Sequence, residues 1–246
     1  MMQNKPLALS GAPGASGAPG ASDAPTAPAG PIDVAARIAQ QTLASRGLDY
    51  SSEVRRLLDA GREVMGRCGT TSRPRVADIV AAAGLSNDAF YRHFASKDAL
   101  VAAILDDGTE RLASYLAHQM AKASTPEHQI RGWVEGVMAQ ATDDDIASTT
   151  LAVLWNAGNL GPGLASPTSA SGPLAQLLPA PFLALGSQDP DLDASLVAHA
   201  IVGRLADHLW HHTRPTPGET DHLVAFCVAA ATASSPTPRR SPRSRP

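Results

Sequence analysis

Aromatic residues and cysteines are scarce in this chain of 246 residues. Trp, Tyr and Phe together account for 4% of the sequence, and the two cysteines, Cys68 and Cys227, lie far apart inside periodic apolar segments. No metal-binding spacing involves them. We therefore interpret both as buried free thiols of a protein kept in a reducing compartment, where disulfides are rare.

Long apolar runs are also absent. The uncharged apolar stretch LVAFCVAAATA at 223–233 is far shorter than the roughly 20 residues that a membrane-spanning helix needs. The N-terminus has one Lys and only the apolar triplet LAL before glycines and prolines begin, so it contains no signal-peptide core. These absences predict a soluble, cytoplasmic protein with no membrane segment.

Both ends of the chain lack the residues that build a core. Residues 6–31 are almost entirely Pro, Gly, Ala, Ser and Thr, and residues 234–246 are rich in Ser, Pro and Arg. Such segments bury too little apolar surface to offset their ordering entropy. We predict a disordered leader at 1–31 and a disordered tail at 234–246. The arginines of the tail either add nonspecific attraction to phosphates or only solubilise the chain.

Helical periodicity dominates the rest of the chain, and no alternating strand pattern of useful length occurs. A weak amphipathic pattern predicts an extra N-terminal helix at 32–48, ended by Gly47. A stronger pattern follows, with Ser52 as its N-cap and Gly69 as its stop. Further apolar stripes at helical spacing extend to residue 233. The sequence therefore predicts an all-α protein.

Charge is divided unevenly between two segments. Residues 50–97 contain eight Lys or Arg and five Asp or Glu, a net charge of +3, whereas residues 98–233 contain five and fifteen, a net charge of −10. A basic segment beside an acidic one indicates that only the first faces a polyanion such as nucleic acid.

Within the basic segment, residues 76–94 predict two short helices joined by a tight turn. Gly84 ends the first helix, and Ser86 caps the second two residues later. At about 100° per residue, Phe90 and Phe94 fall on one side of the second helix, so we expect them to anchor it to the core. The opposite side is then free to enter a groove of DNA. This arrangement is typical of a helix-turn-helix.

Three short motifs make the pattern more specific: Gly-Leu-Ser at 84–86, Phe-Tyr-Arg-His-Phe at 90–94 and Ser-Lys-Asp-Ala-Leu at 96–100. In this order they resemble the DNA-binding block of the tetracycline-repressor (TetR-type) family of transcriptional regulators. The resemblance implies an N-terminal three-helix helix-turn-helix DNA-binding domain at 50–97. It also implies that a helical ligand-binding and dimerisation bundle follows at 98–233.

The resemblance further implies which side chains contact double-stranded operator DNA. Those expected to face the major groove are Asn87, Asp88, Ala89, Arg92 and His93. Tyr91 and Lys97 are expected to bind phosphates, Lys97 close to a helix N-terminus that also favours an anion. Arg75 occupies the position where the family commonly has a capping Thr, and its guanidinium can still reach a phosphate.

Base readout is suggested by the donors and acceptors of three of these side chains. Arg92 is suited to guanine, Asn87 to adenine and Asp88 to the amino group of cytosine. Asp88 and Arg92 are also four residues apart on one helix. An ion pair between them on the surface is therefore an equally good interpretation of both charges.

Two apolar segments near the C-terminus are suited to dimerisation. The predicted interface residues are Leu196, Ile201, Leu205, Leu223 and Phe226. The last helix has little polar face, and a second copy would cover it in a four-helix interface. A homodimer also fits a near-palindromic operator, whose half-sites lie about 34 Å apart.

An effector pocket is a weaker prediction. The aromatic residues Trp133, Trp155 and Phe182 either line a pocket for a small apolar effector or belong to the ordinary core of the bundle.

A group of histidines near the C-terminus raises the question of a metal. Its members are His199, His208, His212 and His222. They either hold a metal ion such as zinc or serve as cations and caps near a helix C-terminus. Because no Cys or carboxylate completes a convincing ligand set, we predict neither a metal nor a cofactor.

Together these patterns favour a sequence-specific transcriptional regulator, a homodimeric repressor that a small apolar effector releases from its operator. Two alternatives stay open: an effector-independent architectural DNA-binding protein and a helical, metal-assisted enzyme. The sequence contains no evident nucleophile–base pair, phosphate loop or paired carboxylates. No catalytic residue is therefore predicted, and the protein is not expected to be an enzyme.

Overall fold

The computed structural model describes residues 34–160 and 171–233. The predicted leader at 1–31 and the predicted tail at 234–246 lie outside the described residues. Contacts divide the chain into two compact units, which separate between Arg46 and Gly47. The second unit contains both the predicted helix-turn-helix and the helices that follow it.

The described elements are helices. In chain order they are α1 (Val34–Cys68), α2 (Val76–Ala83), α3 (Asn87–His93), α4 (Lys97–Met120), α5 (Pro126–Met138), α6 (Asp144–Ala157), α7 (Gly172–Ala175), α8 (Pro179–Ala184), α9 (Pro190–His211) and α10 (Pro217–Ala233). A 3₁₀ turn at Ala139–Ala141 follows α5. The described residues contain no strand, so the predicted all-α class is confirmed.

The start of the fold differs from the prediction in one respect. α1 continues through Gly47, which does not end a helix, and Ser52 therefore lies inside α1 and is not a cap. The Ser51 hydroxyl donates to the Gly47 carbonyl over 3.0 Å, a bond made inside a helix. A single Gly costs a helix only about 1 kcal/mol relative to Ala, so one Gly without a following Pro is a weak stop signal.

The helix-turn-helix segment has its own core between α1, α2, α3 and the first half of α4. Its fully buried side chains include Leu57, Ile79, Phe90 and Leu100. These residues come from four different helices. The short helices α2 and α3 are therefore held by tertiary packing, since helices of seven or eight residues are unstable alone.

A second core lies among α4, α5, α9 and α10, with the short helices α7 and α8 against it. Trp133 of α5 is completely buried there, and its indole N–H donates to the Leu174 carbonyl of α7 over 3.0 Å. Side-chain caps mark the starts of the surrounding helices: Thr125 accepts from the backbone N–H of His128, and Asp143 from that of Ile146. None of the described helices has both the length and the apolar character that crossing a bilayer would require.

Candidate nucleic-acid interface and ligand cavity

The turn between α2 and α3 requires glycine. Gly84 has a φ of 62°, in the left-handed region, and the Leu85 N–H donates to the Val80 carbonyl over 2.9 Å to close the end of α2. A Cβ at Gly84 would also lie 3.0 Å from Nη2 of Arg56. The backbone conformation therefore strains any other residue at the bend, and a Cβ there would also displace the Arg56 guanidinium by a few tenths of an ångström.

Arg56 of α1 braces the same turn. Its guanidinium donates to the carbonyls of Ala83 and Gly84, with Nε 2.9 Å from the Ala83 oxygen and Nη2 2.9 Å from the Gly84 oxygen. These carbonyls end α2 and have no partner within the helix. The angle between α2 and α3 thus depends on Arg56. Sequence analysis missed this role, because the helical pattern around Arg56 only indicates the solvent-exposed face of a helix.

α3 begins and packs as the sequence predicts. The Ser86 hydroxyl accepts a hydrogen bond from the Ala89 N–H over 3.1 Å, which caps the helix. Phe90 is completely buried and Phe94 is 9% exposed, with their ring centroids 5.9 Å apart. The prediction that both anchor α3 is confirmed.

Two of the residues expected to face the groove do not do so. The side chain of His93 is fully buried: Nε2 donates to Oε2 of Glu53 over 2.6 Å, and the ring packs edge-on against Tyr50 at 4.4 Å. Ala89 is only 3% exposed. Assigning both to the groove was wrong, because the buried face of α3 includes Ala89 and the side chain of His93 as well as Phe90 and Phe94.

The remaining predicted contacts lie at the surface. Asn87, Asp88, Tyr91 and Arg92 are exposed on α3, and Arg75 is exposed just before α2. Tyr91 is 58% exposed although it is a large aromatic residue. The side chain of Lys97 is half-buried at the first residue of α4, whose N-cap Ser96 accepts from the Ala99 N–H over 3.1 Å.

Arg92 does not form the surface ion pair with Asp88 that the sequence also allowed. In the described part of the chain no ion pair joins these two residues; the Arg92 guanidinium instead lies 3.5 Å from the Glu53 carboxylate of α1. The hydrogen bond from His93 and the Arg92 charge lower the pKa of Glu53, against the opposing effect of its desolvation. Arg75, at the N-cap of α2, makes no side-chain cap.

A cavity of about 490 Å³ opens between α4 and α6. Most of its lining is aliphatic, including Ile104, Leu105, Leu112, Val153, Leu154 and Leu205. Polar groups reach it from Arg62 of α1, Arg111 of α4 and the hydroxyls of Thr149 and Thr150 on α6. A mostly apolar concavity with a few polar groups is the usual form of a small-molecule site.

None of the aromatic residues predicted for the pocket lines this cavity. Trp133 and Phe182 are completely buried in the second core, and Trp155 is half-buried elsewhere. The ordinary-core interpretation is the correct one for Trp133 and Phe182. Sequence analysis missed the cavity because its lining is made of common aliphatic residues, which carry no distinguishing pattern.

The predicted dimer residues fall into two groups. Ile201 is completely buried and Leu205 is 6% exposed, so both belong to the interior of the protomer, and their assignment to an interface was wrong. Leu196 is 60% exposed and Phe226 46% exposed, whereas Leu223 is half-buried. Two further apolar residues of α9, Leu192 and Trp210, are also exposed.

The C-terminal histidines are separate from one another in their contacts. His208 is buried, with Nδ1 2.8 Å from the Thr213 hydroxyl and Nε2 3.0 Å from the Glu219 carboxylate. His199 lies beside the Ser195 carbonyl, and His212 adopts a φ of 52° at the C-cap of α9. Among the residues that the structure describes, no three potential ligands converge on a metal position.

Comparison with protein-family models matches residues 57–104 to the family described as bacterial regulatory proteins, tetR family. The match contains α2, α3 and the parts of α1 and α4 that pack on them. Comparison of the sequence with functionally curated proteins found no match.

Solved structures share the fold at low sequence identity. A tetR-family transcriptional regulator from Pectobacterium atrosepticum has 22% identity and a TM-score of 0.52, over 74% of this chain and 92% of that one. RolR in complex with resorcinol has 18% identity and a TM-score of 0.53, over 79% and 100%. A protein from Mesorhizobium loti, described as of the tetR family, has 16% identity and a TM-score of 0.55, over 75% and 96%.

Proposed function

We propose that this chain, which belongs through residues 57–104 to the tetR family of bacterial regulatory proteins, is a homodimeric repressor that acts on operator DNA in the cytoplasm. The observation that carries this proposal is the outer face of α3. This face is exposed and polar, whereas the inner face is anchored by Phe90 and Phe94. A short helix held in this way can enter the major groove without unfolding.

The proposed DNA contacts are the members of the predicted set that lie at the surface: Arg75, Asn87, Asp88, Tyr91, Arg92 and Lys97. Asn87, Asp88 and Arg92 are proposed to read base edges, since they carry the required donors and acceptors. Arg75 and Lys97 lie at the N-termini of α2 and α4, where a phosphate also meets backbone N–H groups. Tyr91 is proposed to donate its phenol O–H to a phosphate.

The test is the affinity of the full-length chain for the DNA upstream of its own gene, once the protected segment has been mapped. Tyr91→Ala and Lys97→Ala are expected to weaken binding about tenfold or more each. Only Lys97→Ala, which removes a cation, is expected to reduce the slope of affinity against salt, by the amount of about one phosphate contact. Tyr115→Ala and Lys122→Ala are matched controls. Tyr115 is 51% exposed on α4, and Lys122 lies just after α4, away from α3.

Thermal unfolding of each variant separates loss of DNA contact from loss of fold. If both variants keep the affinity of the parent, and Lys97→Ala also keeps its salt slope, the proposed interface is wrong. Affinity that does not depend on DNA sequence would instead favour an architectural DNA-binding protein.

The cavity supports the ligand-responsive part of the proposal. It lies against α4. This helix begins at Lys97, and α3 ends at His93, so only a short turn that contains Phe94 separates the two helices. A ligand that moves α4 would therefore also move the recognition helix. Repression would end when the distance between the α3 helices of the two protomers no longer matches the distance between successive major grooves. RolR, a protein of the same fold, binds resorcinol, which supports a small-molecule effector of this kind.

Exposed apolar residues support the dimer. Leu192 and Leu196 of α9 and Phe226 of α10 are each about half exposed or more, although α9 and α10 pack on each other. Such residues on adjacent helices are suited to a self-complementary four-helix interface. Two copies would then present two α3 helices to the half-sites of one operator.

A further inference from the structure

We propose that the cavity binds an amphipathic organic anion, an aliphatic carboxylic acid, whose charged end is held by Arg62 and Arg111 in competition with Asp107. The proposal rests on the ligand-responsive function and specifies the chemical class of the effector. It follows from the charges at the α1–α4 side of the cavity.

Asp107 of α4 is the centre of this charge cluster. Its side chain is 14% exposed and accepts hydrogen bonds from Arg55 over 2.6 Å and from Arg62 over 2.8 Å. It also forms an ion pair with Arg111, whose Nε lies 3.0 Å from the carboxylate. Asp59 of α1 provides the second carboxylate, 3.3 Å from Arg62 and 3.6 Å from Arg111. Three cations thus share two anions, and the cluster retains a net positive charge.

Two of the three arginines of this cluster reach the cavity. Arg62 and Arg111 line it, whereas Arg55 does not. A guanidinium has five N–H donors, and the contacts to Asp59 and Asp107 use only some of them. A carboxylate at this position would make charge-assisted, partly bidentate hydrogen bonds. The cavity also has one carboxylate of its own, Asp145, which is exposed in the first turn of α6, where the helix dipole favours it.

The rest of the lining determines the other end of the ligand. Ile104, Leu112, Val153 and Leu205 present aliphatic surface, and none of the described residues that line the cavity is aromatic. A flexible alkyl chain fits such a surface, since it needs no stacking partner. The volume of about 490 Å³ lies within the range of sites that enclose a small organic molecule.

The same contacts connect the site to the DNA-binding helices. Arg62 belongs to α1 and Asp107 to α4, so their ion pair ties these two helices together. A ligand carboxylate beside Arg62 and Arg111 competes with Asp107 for the positive charge of these two side chains and weakens this tie. The ligand thus binds more tightly to an arrangement in which α1 and α4 have separated, and it shifts the population toward that arrangement.

The first experiment compares three probes of equal chain length by calorimetric titration of the full chain without DNA: decanoate, decanamide and decylammonium. We expect decanoate to bind about tenfold or more tightly than decanamide, and decylammonium more weakly than either. Arg111→Gln should remove the preference for decanoate over decanamide. Arg131→Gln is the control, because Arg131 pairs with Asp221 and Glu135 outside the cavity.

The second experiment measures DNA affinity with and without saturating decanoate. We expect decanoate to weaken DNA binding about fivefold or more in the parent and in Arg131→Gln, but not in Arg111→Gln. Absence of decanoate binding, equal binding of decanoate and decanamide, preference for decylammonium, or loss of the preference in Arg131→Gln would each overturn the inference. Because the titrations contain no DNA, they remain decisive even if the chain fails to bind an operator.

Discussion

His93 of α3 donates a hydrogen bond to Glu53 of α1 over 2.6 Å, although the two residues are 40 positions apart in the sequence. The bond fixes a proton on Nε2, and Nδ1 is buried without a partner among the described residues. Arg92 lies 3.5 Å from the same carboxylate. One carboxylate of α1 therefore contacts two residues of α3, and His93 serves as a tether and not as a base-reading residue.

This tether predicts acid-dependent stability. The hydrogen bond from His93 lowers the pKa of Glu53 in the folded state. The contribution of Glu53 to stability is therefore complete above the ordinary pKa of a Glu carboxyl, and it is lost as the pH falls through the lowered, folded-state value. Glu53→Gln should lower the melting temperature near neutral pH and flatten its fall between about pH 5 and about pH 3. Thermal denaturation across this range is the measurement, with Glu63→Gln, in an exposed ion pair on the same helix, as the control. Equal pH slopes in parent and Glu53→Gln would contradict the prediction.

The proposed dimer predicts that a charge on the exposed α9–α10 surface yields monomers. Leu196→Glu and Phe226→Glu would each place a carboxylate in the interface, where it has no partner and must be desolvated. Analytical ultracentrifugation should show a dimer for the parent and monomers for these variants, with DNA affinity reduced at least about tenfold. Leu183→Glu is the control, since Leu183 is 64% exposed but lies on α8. A monomeric parent, or dimeric variants, would refute the interface.

Close packing between α4 and α5 predicts opposite effects for two glycines of one helix. A Cβ at Gly136 would lie 2.3 Å from Cδ2 of the completely buried Leu116, whereas a Cβ at Gly132 would have nothing within 4 Å. Both substitutions by Ala gain helix propensity of about 1 kcal/mol, but only Gly136→Ala forces the core to shift. We expect Gly136→Ala to be less stable than Gly132→Ala by about 1–3 kcal/mol in denaturant unfolding. Similar free energies of unfolding would mean that Leu116 can change rotamer without cost.

Burial predicts that one thiol is inert in the folded protein. Desolvation raises the pKa of Cys227 to about 12. At about pH 8 the reactive thiolate is then only about one part in 10⁴ of the population. Titration with an aromatic disulfide reagent should modify Cys227 only after denaturant is added, and Cys227→Ser should remove that late phase. Rapid modification of Cys227 under native conditions would contradict its burial on α10.

Much of the helix-turn-helix could be predicted because its determinants are local. Gly84, Ser86, Phe90 and Phe94 act within one turn or one helix, so their spacing alone indicates the bend, the cap and the anchored face. Predicting which positions of α3 face solvent required the tertiary structure as well. Whether His93 and Ala89 point outward depends on how far α1 extends over α3, and no periodicity within α3 carries that information.

The chain's helical periodicity, its caps and its division into a basic and an acidic segment were sufficient to indicate an all-α protein with a helix-turn-helix in its basic segment, because these properties arise between residues close in sequence. The positions of Arg56, His93, Ile201 and Asp107 depended on three-dimensional packing. Each owes its role to partners on other helices. Arg56 binds two backbone carbonyls, and His93 binds a carboxylate. Ile201 is buried in the second core, and Asp107 pairs with three arginines. Contacts between residues so far apart in sequence are set by the angles at which whole helices pack. The type of a single residue, apolar or charged, is compatible with several packing angles.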